Sequence, residues 1–236
     1  RLYTTERSAH ANLAREGIAE DRIRFVGNVM IDSLLANREL ARPAAKTLQL
    51  AGFDPAIVDQ AQGYGVVTLH RPSNVDQKES LQPLLTVLRE VSERLPLVFA
   101  LHPRTRANVM RFGLGELLDS ERVVLLPPQG YLEMLGLLMG AKLVLSDSGG
   151  LQEETTALGV PCLTMRENTE RPITVEQGTN TLVGANSDAI RRGVDEILSG
   201  AGKSGRVPEF WDGRAAERIA ADLCQWLITR HARQHS

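Results

Sequence analysis

From residue 66 to residue 198, short unbroken apolar runs alternate with longer stretches whose apolar residues recur every three or four positions. The runs at 66–69, 97–101, 123–126, 143–145, 162–165 and 181–183 predict strands. The periodic stretches at 80–94, 105–118, 131–139, 152–158 and 188–198 predict helices between them. Strands that are continuously apolar, each followed by a helix, predict a parallel sheet covered on both faces, an α/β fold of Rossmann-like type. Ahead of this series, Thr4 or Thr5 is placed to cap a helix running to about Glu16, with Gly17 as its stop. Residues 22–26 predict a strand ending at Gly27-Asn28, and 29–42 a helix with Ile31, Leu34 and Leu35 on one face. The stretch 43–63, with Pro43 and Pro55, predicts a connector carrying a short helix; 200–205 predicts a flexible loop, and 211–230 a final helix. There is no internal repeat and no low-complexity tract.

In an open parallel sheet, ligands bind beyond the carboxyl ends of the strands. That rule sets His70-Arg71, His102-Pro103-Arg104, Gln129-Gly130-Tyr131 and Ser148-Gly149-Gly150 along one rim, each directly after a predicted strand. The last of these carries the most chemistry. The run Leu143-Val144-Leu145 gives way to Ser146-Asp147-Ser148-Gly149-Gly150, which cannot continue a strand and opens the helix at Gln152. Such a turn leaves backbone N–H groups aimed at one place, and small side chains let a phosphate approach them. Glu153 and Glu154, read as first-turn residues, favour the helix dipole, and a carboxylate there also accepts hydrogen bonds from sugar hydroxyls. Turn and carboxylate together suggest a nucleotide, its phosphate on the Ser148-Gly149-Gly150 amides and its ribose on Glu154. Plainer readings stand beside this one. Ser-Gly-Gly also serves as a tight connection, His70 as a loop or capping residue, Glu170-Arg171 as a local ion pair, and Tyr131 and Met134 as the buried face of a helix. Arg104 is read as a surface ion-pair partner and is assigned no ligand.

Composition narrows the class without naming it. The 236 residues are 42% hydrophobic and 24% charged with a net charge of -2, an ordinary globular balance that gives no reason to expect nucleic acid or an anionic membrane as partner. No apolar stretch reaches bilayer-spanning length. The two cysteines, Cys162 and Cys224, make neither a disulfide framework nor a metal cluster, so no metal is expected and a reducing, cytoplasmic setting is. There is no dinucleotide fingerprint, and no redox cofactor is expected.

Three motifs in fixed order, SDSGGLQEE, RENTERP and EQGTNTLVG, resemble the non-hydrolysing bacterial branch of the UDP-N-acetylglucosamine 2-epimerase family. REGI, GNVMID and the closing WDGRAAERIA extend the resemblance over nearly the whole chain. It implies the C-terminal half of a glycosyltransferase-B-like two-domain fold. Residues 1–42 are then the end of the N-terminal domain and its crossover, 43–65 a connector, 66–205 the UDP-binding domain and 206–236 a C-terminal helix. It puts a phosphate-contacting, catalytic histidine at His70, Gln129 against the uracil, Met134 on the base face, Glu154 on the ribose and Arg171 near diphosphate and sugar. Pro72 and Ser73 depart from the HRREN-like run common in the family. The implied reaction is epimerisation at C2 of a UDP-sugar, by elimination and re-addition of UDP, with a homodimer as the expected assembly. Family members supply the C2 acid/base carboxylates from the N-terminal domain, which is expected to be missing here, so this chain alone is expected to be inactive. A hydrolysing 2-epimerase, a glycosyltransferase of the same fold and an inactive UDP-sugar-binding module are the alternatives.

Overall fold

The structure, a computed structural model, describes residues 1–234, and these divide into two compact units, residues 1–37 with those from Val207 on and residues 38–206. The first unit opens with β1 (Leu2–Thr4), α1 (Ser8–Arg15), β2 (Ile23–Phe25) and α2 (Val29–Asn37). The helix expected to be capped by Thr4 or Thr5 begins instead at Ser8, with no side-chain cap at Arg7. Thr4 is taken by the sheet: β1 pairs in parallel with β2, and Thr4 lies opposite Phe25. Strand pairing here overrides a local capping signal. Gly17 does stop the helix, with φ at +78°. Helix α2 ends at Asn37 and tightens into a 3-10 turn over Arg38–Leu40 rather than running to Arg42, the residue before Pro43 being disfavoured in α conformation.

The second unit holds α3 (Ala44–Leu50), then β3 (Gly65–Thr68), α4 (Pro72–Val75), α5 (Lys78–Ser92), β4 (Leu97–Ala100), α6 (Pro103–Phe112), β5 (Val123–Leu126) and α7 (Tyr131–Met139). It continues with β6 (Leu143–Ser146), α8 (Gly149–Leu158), β7 (Cys162–Thr164), α9 (Pro172–Glu176), β8 (Asn180–Leu182) and α10 (Ser187–Leu198). The six strands form one parallel sheet in the order β5-β4-β3-β6-β7-β8. This is the doubly wound Rossmann order, and the α/β class read from the sequence holds. Alternation along the strands explains the continuous apolar runs. Val66, Val98 and Val144 enter the core beneath α3 and α7, whereas Val67, Phe99 and Leu145 enter the one beneath α5 and α10. Both faces are therefore buried, as parallel strands require.

Residues 43–63 are more than a connector, since Leu48 and Ile57 are buried in the α7-side core. The approach is close enough that a Cβ on Gly136 of α7 would stand 1.7 Å from the Arg42 carbonyl oxygen. The short helices α4 and α9 were not expected; each starts with a proline at its first turn, which costs no intrahelical hydrogen bond.

The chain closes, in the first unit, with α11 (Ala215–Gln234). It starts four residues later than expected from Trp211, because Phe210 at φ +61° and Gly213 at φ +81° are incompatible with a helix. Asp32 of α2 caps it, accepting the Ala215 and Ala216 N–H groups at 3.1 and 2.7 Å. No helix among the described residues is long and apolar enough to cross a membrane, and no group of three or more His, Cys, Asp or Glu side chains among them is placed to hold a metal.

Candidate functional site

The sheet order reverses between β3 and β6, so the connections leaving these two strands part to opposite faces and open a crevice at their carboxyl ends. Asp147, the first residue after β6, closes the floor of that crevice. It is wholly buried, and its carboxylate accepts the His70 N–H at 3.0 and 3.1 Å, the Arg71 N–H at 2.8 Å and the Asn74 amide at 3.2 Å. It also takes His70 Nδ1 at 2.8 Å. Burial pushes this carboxyl up, but the hydrogen bonds from the His70 ring and from the Arg71 and His70 backbones outweigh it and hold the group below its usual range. The carboxylate therefore ties the end of β3 to the end of β6. With Nδ1 committed to Asp147, Nε2 is the His70 nitrogen available to a ligand. Asp147 escaped the sequence reading because an aspartate beside Ser-Gly-Gly reads as turn chemistry; its position directly after a buried strand was the available signal.

A cavity of about 280 Å³ at this edge is lined by His70, His102, Gln129, Met134, Ser148 and Leu151. Four expected site residues from three strand ends, His70, Gln129, Met134 and Ser148, thus share one wall. Met134 serves both readings, packing partly on the α7-side core as well. Tyr131 is 43% exposed and is not the core residue that an amphipathic reading allowed. Gln129 donates its amide to the Pro127 carbonyl at 2.7 Å. His102 lies with its ring 5.7 Å from that of His70, and its Nδ1 accepts the Arg104 N–H at 3.2 Å, which caps α6. Arg104 is spent on a paired contact with Asp76, the surface ion pair anticipated for it.

Ser148, Gly149 and Gly150 form the entry to α8, which begins at Gly149, three residues before the expected start at Gln152. Ser148 is extended and its side chain makes no cap hydrogen bond, while its own N–H donates to Ser146 Oγ at 3.0 Å. The helix entrance is therefore left to its backbone amides. The earlier start moves Glu153 and Glu154 out of the first turn, so the dipole argument for them does not apply. Glu153 is 3% exposed and pairs with Arg171 at 3.1 Å. Glu154 is pushed up to about 7, first by burial and then by the charge of Glu153. Arg171 consequently reaches across to α8 instead of forming a local pair with Glu170, which is held by Arg166 at 2.8 and 2.9 Å. Arg71, unassigned from the sequence, faces the same entrance: its Nη2 lies 4.0 Å from where a Gly149 Cβ would stand.

The profile of the family described as UDP-N-acetylglucosamine 2-epimerase matches residues 2–224. The chain belongs to the UDP-N-acetylglucosamine 2-epimerase family. It is 40% identical over 225 residues to the UDP-N-acetylglucosamine 2-epimerase of Methanocaldococcus jannaschii, covering 94% of this chain and 60% of that protein. It is 37% identical over 231 residues to the UDP-2,3-diacetamido-2,3-dideoxy-D-glucuronate 2-epimerase of Pseudomonas aeruginosa, covering 95% of this chain and 59% of that one. The crystal structure of the Methanocaldococcus jannaschii enzyme in complex with UDP-GlcNAc and UDP superposes with a TM-score of 0.81 at 37% identity, over 95% of this chain and 60% of that one. The chain thus spans about 60% of the length of the relatives it matches.

Within this family the departure at Pro72-Ser73 has a local reading. Pro72 opens the short helix α4, and the next residue of the motif, Asn74, is 4% exposed and bridges the Asp147 carboxylate to the Met165 carbonyl at 2.9 Å. The asparagine holds the crevice together, while Pro72 and Ser73 before it line a second cavity of about 520 Å³ with Arg71 and Arg166.

Proposed function

We propose that this chain is the UDP-binding half of an enzyme that epimerises a UDP-N-acetylated hexose at C2, interconverting UDP-N-acetylglucosamine and UDP-N-acetylmannosamine. The observation that supports it most is the α8 entrance. Uncapped amides, a glycine pair, Arg71 and His70 converge at the point where the strand order reverses. In this reading the diphosphate lies on Ser148, Gly149 and Gly150, the ribose on Glu154, and the uracil against Gln129 and Met134. Arg171 turns from Glu153 toward the diphosphate.

The reaction removes the C2 proton and breaks the C1–O bond; the C2–H electron pair becomes the C1=C2 bond of a 2-acetamidoglucal, and UDP departs with the C1–O pair. Return of a proton to the opposite face of C2 and attack of the UDP β-phosphate oxygen on C1 complete the inversion. The sequence is redox-neutral and draws on no electron carrier. The clamp described here acts on the leaving group. His70 donates through Nε2, and the amides and Arg71 spread the charge that grows on the β-phosphate. By family resemblance the groups that handle the C2 proton belong to the part of family members that this chain does not match. The relatives' names differ in the sugar and share UDP.

Gly149→Ala tests the assignment. A Cβ there meets nothing closer than Glu170 Oε2 at 3.8 Å, so the fold accepts it, yet it stands where a phosphate must approach. The expected result is UDP affinity reduced at least about tenfold with an unfolding midpoint equal to or above that of the unaltered chain. Unchanged affinity would remove the diphosphate from this turn.

A further inference from the structure

The segment between β7 and α9 carries Arg166, Glu170 and Arg171 but has no regular structure of its own, and a buried side-chain network holds it. Gln152 of α8 is wholly buried; its Oε1 accepts the Thr169 hydroxyl at 2.5 Å and the Asn180 amide at 3.1 Å, while its Nε2 donates to the Ser148 carbonyl at 3.3 Å. Thr169 also accepts the Arg171 N–H at 2.9 Å. Asn180, wholly buried on β8, accepts the Thr164 hydroxyl at 2.6 Å and donates to Thr174 Oγ1 at 3.2 Å. The Thr174 hydroxyl in turn donates to the Arg171 carbonyl at 2.7 Å. The Arg171 backbone is therefore gripped at its N–H and at its carbonyl by two hydroxyls, and both hydroxyls are joined to the Gln152–Asn180 amide pair.

Simple anchoring of a loop needs no buried amides, since apolar contacts do it without the desolvation cost. A satisfied polar network instead fixes one geometry, because any shift leaves a buried donor or acceptor unpaired. Here the geometry so fixed joins Ser148, at the α8 entrance, to the backbone of Arg171.

We propose that Gln152 and Thr169 are positioning residues for the nucleotide sugar: they lock the Arg171 backbone to the α8 entrance, so that its guanidinium stands within reach of a diphosphate bound there. The proposal rests on the assignment of the diphosphate to the Ser148-Gly149-Gly150 turn. Neither residue touches the ligand; each acts through Arg171.

Thr169→Val keeps the shape and removes the hydroxyl, and Thr169→Ser keeps the hydroxyl. In calorimetric titrations of the 236-residue chain with UDP-N-acetylglucosamine, Thr169→Val is expected to weaken binding about tenfold and Thr169→Ser to stay within about twofold of the unaltered chain. Combined with Arg171→Ala, which removes the group being positioned, Thr169→Val is expected to add less than about a twofold further loss. A merely structural role would leave the two losses additive. Binding by Thr169→Val equal to the unaltered chain, or additive losses in the double variant, would overturn the proposal alone. Absence of binding by the unaltered chain would remove the diphosphate assignment and this proposal with it.

Discussion

Asp147 and Glu154 are both withdrawn from water, and their neighbours send them opposite ways. Asp147 receives donors from every side and stays ionised at neutral pH. Glu154 is half-buried beside another carboxylate and is raised to about 7. The sign of the consequence follows from linkage. Between the ordinary glutamate value and about 7 the folded chain holds a proton that the unfolded chain has lost. The stability this group contributes is therefore complete below the ordinary value and lost as pH rises through about 7. At roughly 1.4 kcal/mol per pKa unit, reduced for partial exposure, the loss is on the order of 1–3 kcal/mol. Glu154→Gln is thus expected to be more stable than the unaltered chain by about that amount at pH 8 and nearly equal to it at pH 4.5, read by urea unfolding at both values. Equal stabilities at pH 8 would show that the carboxyl ionises without strain. A carboxylate held near neutrality suits a ribose partner, because two hydroxyls donating to its charged form repay its desolvation.

Helix α7 illustrates the element scale, where propensity and packing disagree. Gly136 lies in its interior, and replacing an interior helical glycine with alanine ordinarily gains about 1 kcal/mol. The Arg42 carbonyl, 1.7 Å from the new Cβ, reverses the sign. Gly136→Ala is expected to destabilise by roughly 1–3 kcal/mol, seen as a lower urea midpoint; a gain would mean that the 41–43 segment yields without cost. The same contrast governs what the sequence revealed. Strands β3, β4, β6 and β7 of the large sheet were legible because each is a continuous buried run bounded by Pro, Gly or polar residues, and Val123–Leu126 and Tyr131–Met139 fall where the pattern put them. The errors lie where contacts distant in sequence decide. Thr4 is claimed by Phe25 across a strand pair, Ala215 is capped by Asp32, and Arg171 is turned from Glu170 by Glu153. Helix α8 begins earlier than the pattern puts it, because glycines, poor helix formers, occupy its first turn and hide it in the sequence. Of the site, the rim segments were legible from strand ends alone. Asp147 and the Gln152–Asn180 pair were not, and Arg71 was placed on the rim without a role, because these roles exist only once β3, β6 and the 166–171 segment are brought together.

Across the whole molecule, the candidate site residues lie at one edge of one sheet in the 38–206 unit, and the chain belongs to the 2-epimerase family. The chain spans about 60% of the length of its relatives, so the claim most directly its own is the nucleotide site and not turnover. A calorimetric titration with UDP tests that claim, repeated with ADP and with Glu154→Ala. Saturable UDP binding is expected, with ADP weaker because the proposal sets a uracil against Gln129 and Met134 in the cavity they line, and with Glu154→Ala weaker by about tenfold because the proposal sets the ribose on Glu154. A chain that unfolds cooperatively yet shows no saturable heat with UDP, or binds it equally well as Glu154→Ala, would contradict it.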